Sequence, residues 1–161
     1  MAKSFDLATS PSHLLRRANQ FANDLYTDED DADGLTQRQL AVLHAIDQND
    51  TMSQTELVRA TGIDRSTLAD MIVRMQKREL IARKRTEKDQ RANAVRITSV
   101  GKRALRAALP VMQRVESALL EALPARSRAD FLRCLTSLAQ THSDKLADDE
   151  TNGKAKKRSK R

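Results

Sequence analysis

The stretch Ser53-Gln54-Thr55-Glu56-Leu57-Val58-Arg59-Ala60-Thr61-Gly62-Ile63-Asp64-Arg65-Ser66-Thr67-Leu68-Ala69-Asp70-Met71-Ile72-Val73-Arg74-Met75-Gln76-Lys77 decides the fold. Ser53 with Glu56 spells a capping box and starts a short helix through Leu57 and Val58. Thr61-Gly62-Ile63-Asp64 is a tight turn in which Gly62 can take a positive φ and Asp64 can cap the next helix. From residue 65 to about 79, Leu68, Met71, Ile72 and Met75 fall on one side of a helix. Ser66, Asp70, Arg74 and Lys77 fall on the other, flanked by Thr67 and Arg78. A short helix, a glycine turn and an amphipathic second helix make a helix-turn-helix. Hydroxyls, a carboxylate and cations on its outer face are groups that read base edges in a major groove.

Downstream, Ile81-Ala82-Arg83 and Ala94-Val95-Arg96-Ile97 are strand-like runs around a polar, charged turn. They predict a β-hairpin set as a basic wing beside the second helix. Arg85 lies in the wing, and Arg91, near its tip, is the candidate to enter an adjacent minor groove, where the negative potential favours a guanidinium. Upstream, Thr36 with Gln39 is a second capping box, opening a helix that buries Leu40, Leu43 and Ile46.

The chain ends carry more helix than this unit needs. Ser10-Pro11 opens a first helix striped by Leu14, Ala18, Phe21, Ala22 and Leu25, and the acidic run from Thr27 to Gly34 closes it. Thr98 caps a long helix to about Leu123, with Leu105, Ala108, Met112, Val115 and Leu119 in register. Pro110 inside it predicts a kink. Ser127 with Asp130 is read as the start of a last helix striped by Phe131, Leu135, Leu138 and His142. Apolar faces at both ends of the chain point to a helical dimer interface, and two symmetric modules read a pseudo-palindrome. The expected organisation is a dimerisation helix and acidic loop over 1–34 and a DNA-binding unit over 35–98. Helices of the dimer follow over 99–146, then a disordered basic tail over 147–161.

Charge follows this partition. The 161 residues carry 29 Lys and Arg against 22 Asp and Glu, a net of +7. Residues 1–64 have 5 basic and 11 acidic side chains, whereas residues 65–106 have 13 and 4, a net of +9 concentrated on the helix and wing. A basic surface there fits a polyanion. The tail's lysines and arginines add sequence-independent affinity. Aromatics are only 2% of the chain, which argues against stacking single strands. No run approaches the roughly 18 apolar residues of a membrane span and no signal peptide opens the chain, so a cytoplasmic protein is expected. His13, His44 and His142 lack metal-ligand partners at helical spacing, and the lone Cys134 reads as packing. No phosphate loop or nucleophile–base arrangement appears, so no cofactor, metal or enzymatic activity is expected.

These residues resemble the MarR family of bacterial transcription regulators. The resemblance rests on the Ser53–Leu57 and Asp64–Leu68 segments, on Asp89-x-Arg91, and on Val95-Arg96-Ile97-Thr98 with Gly101. It covers about residues 10–146. It implies a mainly α fold with a small β-hairpin wing: a winged helix-turn-helix joined to a helical dimerisation region. Such proteins are homodimers that usually repress transcription until a small ligand or an oxidant releases them. In the family the Asp of the wing motif braces the hairpin and the Arg enters the minor groove, roles that fall to Asp89 and Arg91. Recognition-helix contacts fall to Ser66, Thr67 and Arg74, beside Asp70 and Lys77.

The opening Asp6-Leu7-Ala8-Thr9, Pro11 and His13-Leu14-Leu15-Arg16-Arg17 looks like members that sense aromatic carboxylates. That likeness assigns Arg16, with His13, to the ligand's carboxylate in a cleft between the helical region and the DNA lobe. A guanidinium fork suits a carboxylate. Ala22 stands where a polar contact to a small phenolic acid is wanted, a departure that counts against such an acid and leaves open a larger effector, such as an aromatic acyl-CoA thioester whose phosphates suit the basic surface. The expectation is a repressor on a pseudo-palindromic double-stranded operator, released by an aromatic acid or its CoA thioester. The alternative is an architectural protein binding DNA without sequence preference, associated with the nucleoid in either case.

Overall fold

The computed structural model describes residues 5–29, 34–83 and 94–158, with residue 146 and residues 148–158 as backbone only. Local signals in the sequence place most of the element boundaries. Helix α1, Pro11–Thr27, starts with Pro11 in its first turn, where the missing N–H costs nothing. Ser10 precedes it without capping, its hydroxyl meeting that of Ser12 at 3.3 Å. Helix α2, Gln37–Asn49, opens on the reciprocal box: Gln39 N donates to Thr36 Oγ1 at 3.2 Å, and Thr36 N to Gln39 Oε1 at 3.1 Å. Helix α3, Gln54–Thr61, repeats the device with Ser53 N donating to Glu56 Oε2 at 2.7 Å.

Gly62 then takes φ +68°, a left-handed turn that a side chain would resist, and its N–H closes on Val58 O at 2.9 Å. Helix α4, Arg65–Lys77, comes directly after it, two residues shorter than its periodicity predicts. Strands β1, Ile81–Arg83, and β2, Val95–Ile97, pair antiparallel with Ile81 opposite Ile97 and Arg83 opposite Val95. Met52 extends this ladder from the α2–α3 connection, exchanging backbone bonds of 3.0 and 2.8 Å with Val95.

Helix α5, Ser99–Glu121, runs through Pro110 as one element. Its start is fixed where Gly101 meets the chain leaving α4. A Cβ on Gly101 would lie 2.1 Å from Leu80 O, so only glycine permits this approach. Helix α6, Ala125–Arg158, differs from the sequence reading at both ends. It begins directly after Pro124, whose carbonyl accepts from Ser127 N at 2.8 Å, so Ser127 already lies inside the first turn. At the other end the backbone stays helical through Arg158, where composition predicts disorder from about residue 147. The preceding turns supply the nucleus that carries the helix across the weak helix formers Thr151-Asn152-Gly153 to the stronger ones from Lys154 on.

The core lies between α2, α3, α4, the hairpin and the first half of α5. Leu43, Ile46, Leu57, Leu68, Ile72, Met75, Val95 and Val111 are fully buried. On α1 only Tyr26 is buried. Leu14, Leu15 and Phe21 of α1 and Leu132 and Leu138 of α6 remain between 43% and 55% exposed. Glu29 holds the end of α1 to α5 by accepting from Arg114 Nε at 2.9 Å.

Candidate nucleic-acid interface and ligand cleft

Helix α4 divides its side chains by chemistry. Leu68, Met71, Ile72 and Met75 enter the core, while Ser66, Asp70, Arg74 and Lys77 are exposed and Thr67 is half-buried. The predicted reading residues therefore share one outward face. Asp64 sets the start of that face. Its Oδ1 accepts from Thr67 N at 2.9 Å and from Ser66 Oγ at 2.7 Å. Those bonds, Thr67's first and then Ser66's, hold the Asp64 carboxyl well below the usual carboxylate range. Ser66 thus arrives with its hydroxyl proton already given to the cap, leaving oxygen lone pairs to accept. Val73, 46% exposed between Asp70 and Arg74, is a residue that sequence reading missed, because an isolated apolar side chain on a polar face belongs to neither stripe. Its methyls are the kind of group that meets a thymine methyl.

On the hairpin Arg83 and Arg96 are exposed. Arg85, Asp89 and Arg91 of the predicted wing lie outside the described residues.

Two open cavities meet at the start of α2. One, about 560 Å³, is lined by Asn23, Tyr26, Thr27 and Glu29 from the end of α1 and by Gly34, Leu35, Thr36 and Gln37. The other, about 370 Å³, passes between Asn19 and Asn23 of α1, Thr36, Gln37 and Arg38 of α2, and Thr67, Met71 and Arg74 of α4. Gln37 Nε2 donates to Ala22 O at 3.0 Å and stitches α1 to α2 where the two cavities adjoin. Tyr26 is 7% exposed, and its hydroxyl has no partner among the described residues. Burial raises its pKa, so the phenol stays neutral and available as donor or acceptor. Such an orphaned buried hydroxyl is costly unless something else meets it.

The predicted ligand pair, His13 and Arg16, lies nearer the start of α1. Arg16 NH2 and His13 Nδ1 approach to 3.2 Å; neither lines these two cavities, but Arg16 stands three and seven positions before Asn19 and Asn23, on their side of α1. The cleft's own cations are Arg38 and Arg74, from elements that the sequence reading did not connect to a ligand. Among the described residues no His, Cys, Asp and Glu group could hold a metal, and no helix is long and apolar enough to cross a membrane.

Comparison with known proteins agrees with this architecture. The model of the MarR family matches residues 33–92. The chain is 32% identical to the transcriptional regulator HosA of Escherichia coli over 107 residues, 66% of this chain and 79% of that protein. It superposes on Bordetella bronchiseptica BpsR, whose DNA binding is regulated by 6-hydroxynicotinic acid, with a TM-score of 0.77 and 25% identity over 84% of this chain and 97% of that one. It superposes on the transcriptional repressor CouR bound to a 23-mer DNA duplex with a TM-score of 0.73 and 27% identity, covering 86% and 99%. CouR is also known bound to p-coumaroyl-CoA. A helix-turn-helix capped by Asp64, a paired hairpin, a family match across the first and into the second, and a relative at this identity lead to one conclusion: the chain belongs to the MarR family, and it is a transcriptional regulator and not an enzyme.

Proposed function

We propose that this chain is a homodimeric transcriptional repressor that reads a pseudo-palindromic operator and leaves it when an aromatic carboxylic acid or its CoA thioester binds. The observation that carries the reading is the partition of α4, with four apolar residues in the core and Ser66, Thr67, Asp70, Arg74 and Lys77 on the opposite face. Two such helices enter successive major grooves about one helical turn apart. The wings take the flanking minor grooves, with Arg91 inserted, Asp89 bracing the hairpin and Arg85 on the backbone. The exposed apolar faces of α1 and α6 form the dimer contact. The setting is the bacterial cytoplasm, at the nucleoid.

The effector's place is the cleft at the start of α2. Its volumes suit a single aromatic acid, with room toward solvent for a longer thioester. Arg38 and Arg74 supply charge for a carboxylate, Asn19 and Asn23 supply amides, and the Tyr26 hydroxyl waits for a polar partner. Arg16 with His13 adds a second cationic group from α1 in the dimer. An effector touching Arg74 competes directly with DNA for that side chain. Its leverage is bounded by its differential affinity for the free and operator-bound forms. The known ligands of BpsR and CouR support both effector classes.

The test is a salt-controlled mobility shift with the promoter DNA adjoining the protein's own gene, against random duplex of equal length. The expected preference is about 10³-fold or more, lost on adding 6-hydroxynicotinic acid or p-coumaroyl-CoA. Equal retention of both duplexes with a steep salt slope would mean architectural binding instead.

A further inference from the structure

Helix α4 is held at its C-terminal end by two attachments of different kinds. On one side Thr98 Oγ1 donates to Glu79 O and, at 3.1 Å, to Leu80 O. Gly101 packs against the same Leu80 carbonyl with no space for a methyl group. This attachment to α5 is short-range and without slack. On the other side stands Arg78, the residue that caps α4. Its guanidinium reaches 44 positions back along the chain, NH1 donating to Gly34 O at 2.9 Å. The same nitrogen lies 3.5 Å from Gln39 Oε1, the atom that accepts from Thr36 N in the capping box of α2. Gln39 is itself 8% exposed, so this contact is anchored in a fixed group.

We propose that Arg78 is a positioning residue that ties the set of the reading helix to the junction between α1 and α2. The proposal rests on the operator-binding reading above. Gly34, Leu35, Thr36 and Gln37 form one wall of the larger cavity, and Thr36 and Gln37 also line the smaller one. A group entering either cavity presses on the backbone whose carbonyl Arg78 holds. Because the α5 attachment has no slack, a shift of Gly34 is delivered to α4 as a tilt about Leu80. Reach matters here, since one terminal nitrogen serves both a carbonyl and an amide oxygen, and the shorter stem of a lysine stops its ammonium short of that position. Coupling of this kind is reciprocal: if the junction biases α4, then DNA on α4 must bias the junction. The effector therefore need not be known for the device to be tested.

The experiment is hydrogen exchange on the full chain and on Arg78→Met and Arg78→Lys, with and without the duplex adjoining its own gene. Arg78 is on the surface, so both variants are expected to melt close to wild type. In the free protein, Arg78→Met is expected to exchange faster both at 34–37 and at 76–80, at opposite ends of the tether. Bound duplex is expected to slow exchange at 34–37 in wild type and to lose that effect in Arg78→Met. Operator affinity should fall on the order of fivefold or more with the salt slope unchanged. Lys, which keeps the charge, should restore less than half of the loss. The proposal is overturned if free Arg78→Met exchanges as wild type does at both segments, whatever happens with DNA. It is equally overturned if the salt slope drops by about one and Lys restores affinity fully, for then Arg78 is a phosphate contact. Absence of duplex binding by wild type would count against the operator reading alone, with the free-protein comparison still deciding the tether.

Discussion

The two amphipathic surfaces of this chain share a pattern and differ in what answers it. On α4, Leu68, Ile72 and Met75 are met by α2, α3 and the hairpin and lose all contact with water. On α1, Leu14 and Phe21, and on α6, Leu138 in register with Phe131 and Leu135, recur at helical spacing, yet Leu14, Phe21 and Leu138 each stay about half exposed. Apolar periodicity alone therefore says that a face wants covering. It does not say whether the cover comes from the same chain. On the function proposed above, the difference separates a DNA lobe complete within one copy from a helical region that a second copy covers.

The sharpest way to break the completed half is Leu68→Ala. The side chain is fully buried in the base of α4, and truncation is expected to cost about 3 kcal/mol in urea denaturation. Operator retention should go with it. If stability changes by less than about 1 kcal/mol, the core of the DNA lobe is not where the burial places it.

On the other half, Leu138→Asp is expected to leave the secondary structure of the chain intact while halving the mass seen in sedimentation. A carboxylate desolvated in an apolar contact should weaken dimerisation by about a hundredfold or more. Unchanged mass would place the dimer contact off this face of α6. Operator binding should weaken as well, since the two reading helices would no longer be linked.

Arg74→Ala touches the reading face without touching either packing surface. The expected loss is about 1–3 kcal/mol in operator binding, with the melting temperature unchanged. A loss larger on operator than on random duplex marks a base contact, and a uniform loss marks a phosphate contact. Either result is informative about the cleft as well, because Arg74 lines the smaller cavity.

The parts of this molecule legible in the sequence are those made by residues a few positions apart. The boxes at Thr36 and Ser53, the turn at Gly62 and the cap at Asp64 are each written within four residues. The parts that escape such a reading are long-range. The Met52–Val95 bridge, the Gly101–Leu80 approach and the Arg78–Gly34 bond join segments whose local patterns do not mention one another. The cleft escapes for the same reason: its lining comes from α1, α2 and α4, and none of its groups forms a motif alone. Arg16 belongs to a stretch that is legible locally, and it lies beside His13, one and two turns before Asn19 and Asn23 on the same side of α1.

Tyr26→Phe sharpens the contrast between a group satisfied within the chain and one left waiting. Removing a buried hydroxyl without a partner should raise stability by about 1 kcal/mol. Release from DNA by 6-hydroxynicotinic acid should need more of the acid in this variant. Destabilisation on losing the hydroxyl would mean that it is satisfied in solution.

The smallest effect expected is at Asp64, and it carries a sign that can be worked out. Its carboxyl titrates below the ordinary 3.8 because the folded state donates hydrogen bonds to the ionised form. A depressed carboxyl contributes stability that is complete above the unfolded value and is lost as pH falls toward the folded one. Asn caps a helix about as well as Asp but does not titrate. Wild type and Asp64→Asn should therefore diverge only below about pH 4, with the melting temperature of wild type falling faster on acidification. Parallel melting curves down to about pH 2 would mean that the cap does not favour the ionised carboxylate. Ser66 would then keep its hydroxyl proton free to donate to DNA, and the reading face would start with a donor where the structure gives it an acceptor.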